Sequence, residues 1–200
     1  MTVTREETMP GERATKMLIL SSARTLFSEQ GYEQTPVEEI CALAGIAKGT
    51  FFYYFESKQF IVRYIVARQL EEYKQRLKDQ METFGDPISK AEFFVSALID
   101  QGYAASEANS YFKDMEPEWY CTVVREERML ALLPLLEDVV LEGINEGYFR
   151  LKNPSACAAI AFLGIDSYLH LKPTESEETK RGIREMTAKT LGLKEALFAL

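Results

Sequence analysis

The sequence predicts an all-α protein: an N-terminal three-helix unit of helix-turn-helix type, then a larger helical domain. Three observations predict it. Apolar residues recur at spacings of three and four along most of the chain. Glycines and prolines fall between those stripes, where helices stop and start. No segment of useful length alternates polar and apolar residues as a half-buried strand does, and no repeat or low-complexity tract occurs.

Residues 1–11 read as a disordered tail. From 12 to 30 the stripe is Ile19/Leu20, Ala23 and Leu26/Phe27. Gly31 then stands where a left-handed C-terminal cap belongs, followed by the apolar Tyr32. In "TPVEEI", Thr35 is expected to be the N-cap, Pro36 the first helical residue and Glu38 the third, a capping box. Gly45 stops this second helix early, and a third short helix covers about 47–54.

Ser57 is expected to cap a fourth helix, about 58–82, with Phe60, Ile61, Tyr64, Ile65 and Leu70 as its apolar stripe. That helix connects a first domain, 12–57, to a second, 58–200. The loop "TFGDPIS" breaks the chain, and further helices are expected at about 88–107, 110–120, 122–146, 154–171 and 175–191. Pro134 should kink or interrupt the helix 122–146. Asn153–Pro154 and "TESE" at 174–177 are start signals; Gly147 and Gly192 are stop signals.

The composition narrows the function. Of 200 residues, 46% are hydrophobic and 27% charged, enough for a substantial core in a soluble protein. The net charge of −8 is unlike that of a general nucleic-acid coat or a membrane-surface protein. Residues 1–60 carry net −2 and residues 61–200 net −6. Any hold on a polyanion must therefore come from local geometry. Cys41, Cys121 and Cys157 lie far apart and form no CxxC, which favours reduced thiols in a cytoplasmic protein. The N-terminal stretch has no apolar core and reads as no signal peptide, and "ACAAIAFLGI" is too short to span a membrane.

The chemistry concentrates in "AGIAKGTFFYYFESK", residues 44 to 58, where five aromatics stand between two lysines. Ile40, the small Cys41, the turn at Gly45 and the anchor Ile46 fit a helix packed closely on a second helix through a short turn. At about 100° per residue, setting Phe51 at the core puts Phe55 some 40° away and also inward, with Gly49 and Tyr53 on the opposite face. Lys48 and Phe52 flank that face on one side, Thr50 and Tyr54 on the other. A glycine lets the backbone approach a partner closely, and a tyrosine offers a ring for a thymine methyl and a hydroxyl for phosphate. Lys48 and Lys58 suit phosphates on either side, and the start of the fourth helix adds free N–H groups. The surface is one that can enter a major groove.

These residues resemble the TetR family of transcriptional regulators. The resemblance runs from Ile19 to Ile61, about a fifth of the chain, and rests on the periodic first helix, "GY..T", an acidic-apolar second helix, "AG[VI].KGT.Y..F" and the lysine after it. It implies that Lys48, Thr50, Tyr53, Tyr54 and Lys58 touch double-stranded operator DNA; Gly49 joins them from the wheel. Phe52 stands where members usually have tyrosine, Tyr54 where they often have histidine, and Ala47 in place of the usual serine cap, which weakens that helix start by about 1 kcal/mol. Glu38 stands where some members carry a basic residue and receives no DNA role. The resemblance further implies a ligand pocket in the larger domain and a homodimer through the last two long helices. Small or apolar Ala156, Ala159, Leu163, Gly164 and Ser167 are compatible with close helix packing there.

An apolar pocket is expected around "SYFKDMEPEWYC", with Tyr111, Met115 and Trp119 spaced four apart, completed by Phe94, Leu98, Phe162 and Tyr168. A plain hydrophobic core would use the same residue types. His170 has no Glu three residues before it, and no nucleophile elbow, P-loop, dinucleotide fingerprint or zinc pattern occurs, so neither an enzyme nor a cofactor or metal is expected. Asp166, alone in an apolar run, could meet a cationic ligand, face solvent or be paired. Three readings follow: a repressor released by a small apolar or amphipathic ligand, a DNA-binding division or nucleoid factor of the same fold without such a ligand, and a helical adaptor that no longer binds DNA.

Overall fold

The computed structural model describes residues 10–100, 117–171 and 176–193, the side chains of Pro10, Pro117, His170 and Leu171 excepted. Among the described residues there are eight helices and no strand. They are α1 (Pro10–Gln30), α2 (Val37–Ala44), α3 (Lys48–Tyr54), α4 (Lys58–Met81), α5 (Pro87–Asp100), α6 (Pro117–Asn145), α7 (Pro154–Leu171) and α8 (Glu177–Thr190). None of them is long and apolar enough to cross a membrane.

The described residues divide into two compact units, 10–69 with 117–124, and 70–100 with 125–171 and 176–193. In the first unit, α1 packs on α2 and α2 on α3. Ile19, Ala23, Phe27, Ile40, Phe51, Ile61 and Val62 are essentially sealed from water there. The α1 stripe is as its spacing predicts. The α4 stripe differs: Phe60 is 41% exposed, while Ile61, Val62, Ile65 and Val66 are buried. The buried pairs 61/62 and 65/66 lie one residue along from the expected pairs 60/61 and 64/65, so the buried face is turned about the helix axis from the expected one.

Cap chemistry explains most boundaries. Gly31, Gly45, Gly147 and Gly192 all have positive φ, between 63° and 88°, the left-handed conformation that a side chain resists. Asp86 accepts from the Ser89 backbone N–H at 2.9 Å and from its hydroxyl at 2.6 Å, capping α5 just ahead of Pro87. Those bonds favour the ionised carboxylate and hold its pKa below the ordinary value. Asn153 caps α7 the same way, accepting from the Ala156 N–H at 3.1 Å.

Three expectations are corrected. Thr35 makes no capping box: Pro36 is the N-cap of α2, and it makes no side-chain cap bond. The Thr35 hydroxyl instead donates back to the Gly31 carbonyl at 2.6 Å, tying off the end of α1. Glu38 is engaged elsewhere and does not reach back. Second, of the kink or interruption expected at Pro134, the interruption does not occur; α6 runs through it from Pro117 to Asn145. The ring is on the solvent face, and the carbonyl four residues back belongs to Leu130, 53% exposed, where water can take the place of the missing N–H. Third, the expected separate helices 110–120 and 122–146 are one helix from 117 onward. Residues 110–116 lie outside the described residues, as do the segments 1–9 and 101–107.

The second unit has its own core, including Leu77, Phe94, Val95, Leu98, Leu132, Leu136, Val140, Phe149, Ala158, Phe162 and Leu191. Helices α5, α7 and α8 pack on one another around it. Lys90 of α5 pairs with Glu142 of α6, and Lys180 of α8 with Asp100 of α5.

Candidate nucleic-acid interface

The interface is built on α3 by the pattern of its neighbours. Phe51 is fully buried and Phe55 nearly so, their ring centroids 6.1 Å apart. This anchors one side of a seven-residue helix. The opposite side is then obliged to face water, and Tyr53 is 73% exposed. Lys48 and Gly49 are exposed beside it, while Thr50 and Tyr54 are half-buried on the flank. The Tyr53 and Tyr54 rings meet edge-on at 5.0 Å, so the two aromatics hold each other upright. Phe52 is 46% exposed and lies 6.0 Å from the Lys48 ammonium. Ala47 is the N-cap of α3 and, having no hydroxyl, makes no side-chain cap bond.

Two side chains of this face are held by acids from other helices. Lys48 forms an ion pair with Glu38 of α2. The bond lowers the Glu38 pKa and raises that of Lys48, since each charge favours the other. The Tyr53 hydroxyl donates to Glu12 of α1 at 3.4 Å. Nothing in the spacing of "VEEI" or "AKGT" shows that Glu38 and Lys48 meet, because the contact depends on how α2 and α3 cross.

Lys58 is placed differently from a lysine bracketing an outward surface. Its ammonium turns inward, donating to the carbonyls of Tyr32 and Thr35, with that of Glu33 at 3.5 Å, and lies over the Tyr32 ring. It closes the turn between α1 and α2. Ser57 lies at the start of α4, where the Phe60 N–H donates to its carbonyl at 3.1 Å with the hydroxyl at 3.4 Å.

The residues expected to line a pocket are distributed as follows. Phe94, Leu98 and Phe162 are sealed in the core of the second unit. Tyr168 is 40% exposed on α7. Trp119 is half-buried in the first unit. Tyr111 and Met115 lie outside the described residues. Asp166 is buried and meets Arg128 at 3.1 Å and Arg125 at 3.7 Å, both from α6, so its charge is answered internally. Among the described residues no cluster of His, Cys, Asp and Glu could hold a metal ion.

With this geometry in hand, comparison with known proteins is decisive. The profile of the bacterial regulatory proteins of the tetR family matches residues 19–65. An uncharacterized HTH-type transcriptional regulator of Bacillus subtilis, YhgD, is 31% identical over 86% of this chain and 93% of its own length. The chain belongs to the TetR family. It is a helix-turn-helix transcriptional regulator. The transcriptional repressor KstR2 of Mycobacterium tuberculosis is similar at 26% identity over 66% of this chain and 68% of its own. Among solved structures, RolR in complex with resorcinol shares the fold with a TM-score of 0.66 at 20% identity, covering 94% of this chain and 92% of RolR. The fatty acid degradation regulator FadR of Bacillus halodurans gives 0.56, also at 20% identity, covering 94% and 97%.

Proposed function

We propose that this TetR-family regulator is a repressor that binds a pseudo-palindromic operator as a homodimer and is released by a small apolar or amphipathic ligand. The observation that carries the DNA half of this reading is the opposition of Phe51 and Tyr53, one sealed and one 73% exposed on a single short helix. Lys48, Gly49, Thr50, Tyr53 and Tyr54 form the contact surface. A short recognition helix reads only a few base pairs, so useful specificity calls for two of them, about 34–36 Å or a multiple apart. The second copy is supported by α7: Ile160, Leu163, Gly164 and Tyr168 are exposed along one line at spacings of three and four, and Ile160 is 64% exposed. An apolar stripe of that kind on a helix is what a two-fold partner would cover.

The ligand half rests on similar proteins: the repressor KstR2, RolR in complex with resorcinol, and a Bacillus subtilis FadR in complex with stearoyl-CoA. An effector seated among Phe94, Leu98 and Phe162 must part α5 from α7, and its preference for the parted state sets how far it can weaken DNA binding.

The test is a mobility shift on the DNA upstream of the protein's own coding region. Tyr53→Ala should weaken binding by about 1–3 kcal/mol, the range of one good base contact, while the melting temperature stays near wild type. A variant that binds as well as wild type removes Tyr53 from the interface. A thermal-shift panel of small phenols and acyl-CoA thioesters then tests the effector, and a compound that raises the melting temperature should also release the DNA.

A further inference from the structure

The recognition face is not free of negative charge. Glu38 reaches from α2 to the Lys48 ammonium, and both side chains stay more than half exposed, at 61% and 57%. The pair is therefore not packed into the fold; it is laid on the surface that DNA approaches. A lysine held in this way cannot give its charge to a phosphate until the carboxylate lets go. Even then the carboxylate remains close by and repels the same phosphate. A pair in open solvent contributes little to stability. It is thus poorly explained as a device for holding the fold, and it costs little to open.

We propose that Glu38 is an internal competitor of the DNA phosphate for Lys48, tuning down the affinity of the recognition helix for DNA of every sequence. This rests on the DNA-binding reading of α3. The consequence concerns selectivity in a genome. Phosphate contacts exist on any duplex, whereas base contacts exist on few. A carboxylate that discounts one phosphate contact moves random DNA below useful affinity, and leaves the operator bound through the base contacts that random DNA lacks. It acts in the same direction as the chain's overall charge of −8, which also disfavours indiscriminate binding.

The competitor differs from a base-reading residue in what its removal does. An acid at a recognition helix can also accept from cytosine N4, and its loss would then weaken binding to one sequence only. A competitor's loss strengthens binding to all sequences.

The experiment uses the full-length protein, a random-sequence duplex of 30 base pairs and the duplex from upstream of its own coding region, titrated by fluorescence anisotropy at several salt concentrations. Glu38→Gln should tighten both duplexes by a similar factor, about two- to tenfold, and steepen the salt dependence by up to about one unit of slope, because one more uncompensated cation meets the backbone. In a Lys48→Ala background the same substitution should gain less than half as much, because the carboxylate then has no lysine to withhold. Weaker or unchanged binding by Glu38→Gln overturns the proposal. A full gain in the Lys48→Ala background overturns it too, since Glu38 would then act by general repulsion. If neither the wild type nor any variant binds either duplex at low salt, the DNA-binding reading itself fails and takes the proposal with it.

Discussion

The Lys58 ammonium lies 4.0 Å from the centroid of the Tyr32 ring and donates to the Tyr32 carbonyl beneath it. The Thr35 carbonyl takes a second bond at 3.0 Å. Twenty-five residues of chain separate the start of α4 from this turn, and one side chain joins them. A charged donor to carbonyls contributes about 1.5–3 kcal/mol, and the ring adds to it. Lys58→Met should therefore lower the stability of the first unit by about 1–3 kcal/mol in urea unfolding. It should leave the salt slope of DNA binding almost unchanged, whereas Lys48→Ala made in a Glu38→Gln background, where the ammonium is open to phosphate, should reduce that slope by about 1. A slope that falls as much in Lys58→Met would show that the ammonium leaves the turn to meet phosphate.

Tyr32 itself supplies a pH prediction. It is 5% exposed, and burial, with the nearby Glu33 charge, pushes its pKa up to about 12 from the ordinary 10. The folded state therefore holds the phenolic proton more tightly than the unfolded chain. The linked stability is whole below about pH 10 and is lost as pH rises toward 12. Alkaline unfolding of the first unit, followed by circular dichroism between pH 9 and 12, should be shallower in Tyr32→Phe than in wild type. An identical profile in the variant would show that the Tyr32 phenol does not set the alkaline loss.

How much of this was legible in the sequence depends on the range of each contact. Phe51 inward and Tyr53 outward follow from the helical period alone, because both sit on one helix with a known anchor. The pairing of Glu38 with Lys48 and the inward turn of Lys58 do not, since they depend on how helices cross and on which rotamers long side chains select. The capping box at Thr35 failed for a local reason: a threonine at that position can bond forward to α2 or back to α1, and the carbonyl of Gly31 was the nearer partner. The pocket residues show the limit most clearly. Phe94, Leu98 and Phe162 are of the aromatic and aliphatic types that line pockets, and the same side chains fill cores, so their type does not separate the two. Asp166 drew attention as a charge in an apolar run, but its partners lie on another helix, about forty residues away in the chain.

That buried acid yields the next prediction. Asp166 is 3% exposed and faces both Arg128 and Arg125, so Asp166→Ala takes the carboxylate from two guanidinium groups, of which Arg128 is only 12% exposed. Asp166→Ala should cost about 3–5 kcal/mol, and the double variant Asp166→Ala with Arg128→Leu should recover a large part of the loss, because the pair's desolvation cost disappears with it. Chemical denaturation of the two variants decides this. A double variant as unstable as the single one would mean that Arg128 is needed by other partners in the second unit.

The last prediction concerns a close approach at the end of α6. Tyr148 and Phe149 both donate their backbone N–H groups to the Gly143 carbonyl, at 2.8 and 3.0 Å, after the chain reverses at Gly147. This folds the Phe149 ring, 2% exposed, directly over Gly143. A Cβ placed on Gly143 would come within 2.4 Å of that ring, closer than any real contact. Alanine is the better helix former by about 1 kcal/mol, so propensity alone argues that Gly143→Ala should stabilise α6. The clash decides the sign the other way: the ring must leave a core in which Phe149 packs with Val140 and Leu136, and overpacking of that kind costs about 1–3 kcal/mol. Gly143→Ala should therefore lower the melting temperature. Phe149→Leu should be tolerated better in the Gly143→Ala background than in wild type, because the smaller side chain vacates the space the new methyl needs. If the two substitutions instead add without coupling, the ring does not rest on Gly143 in solution.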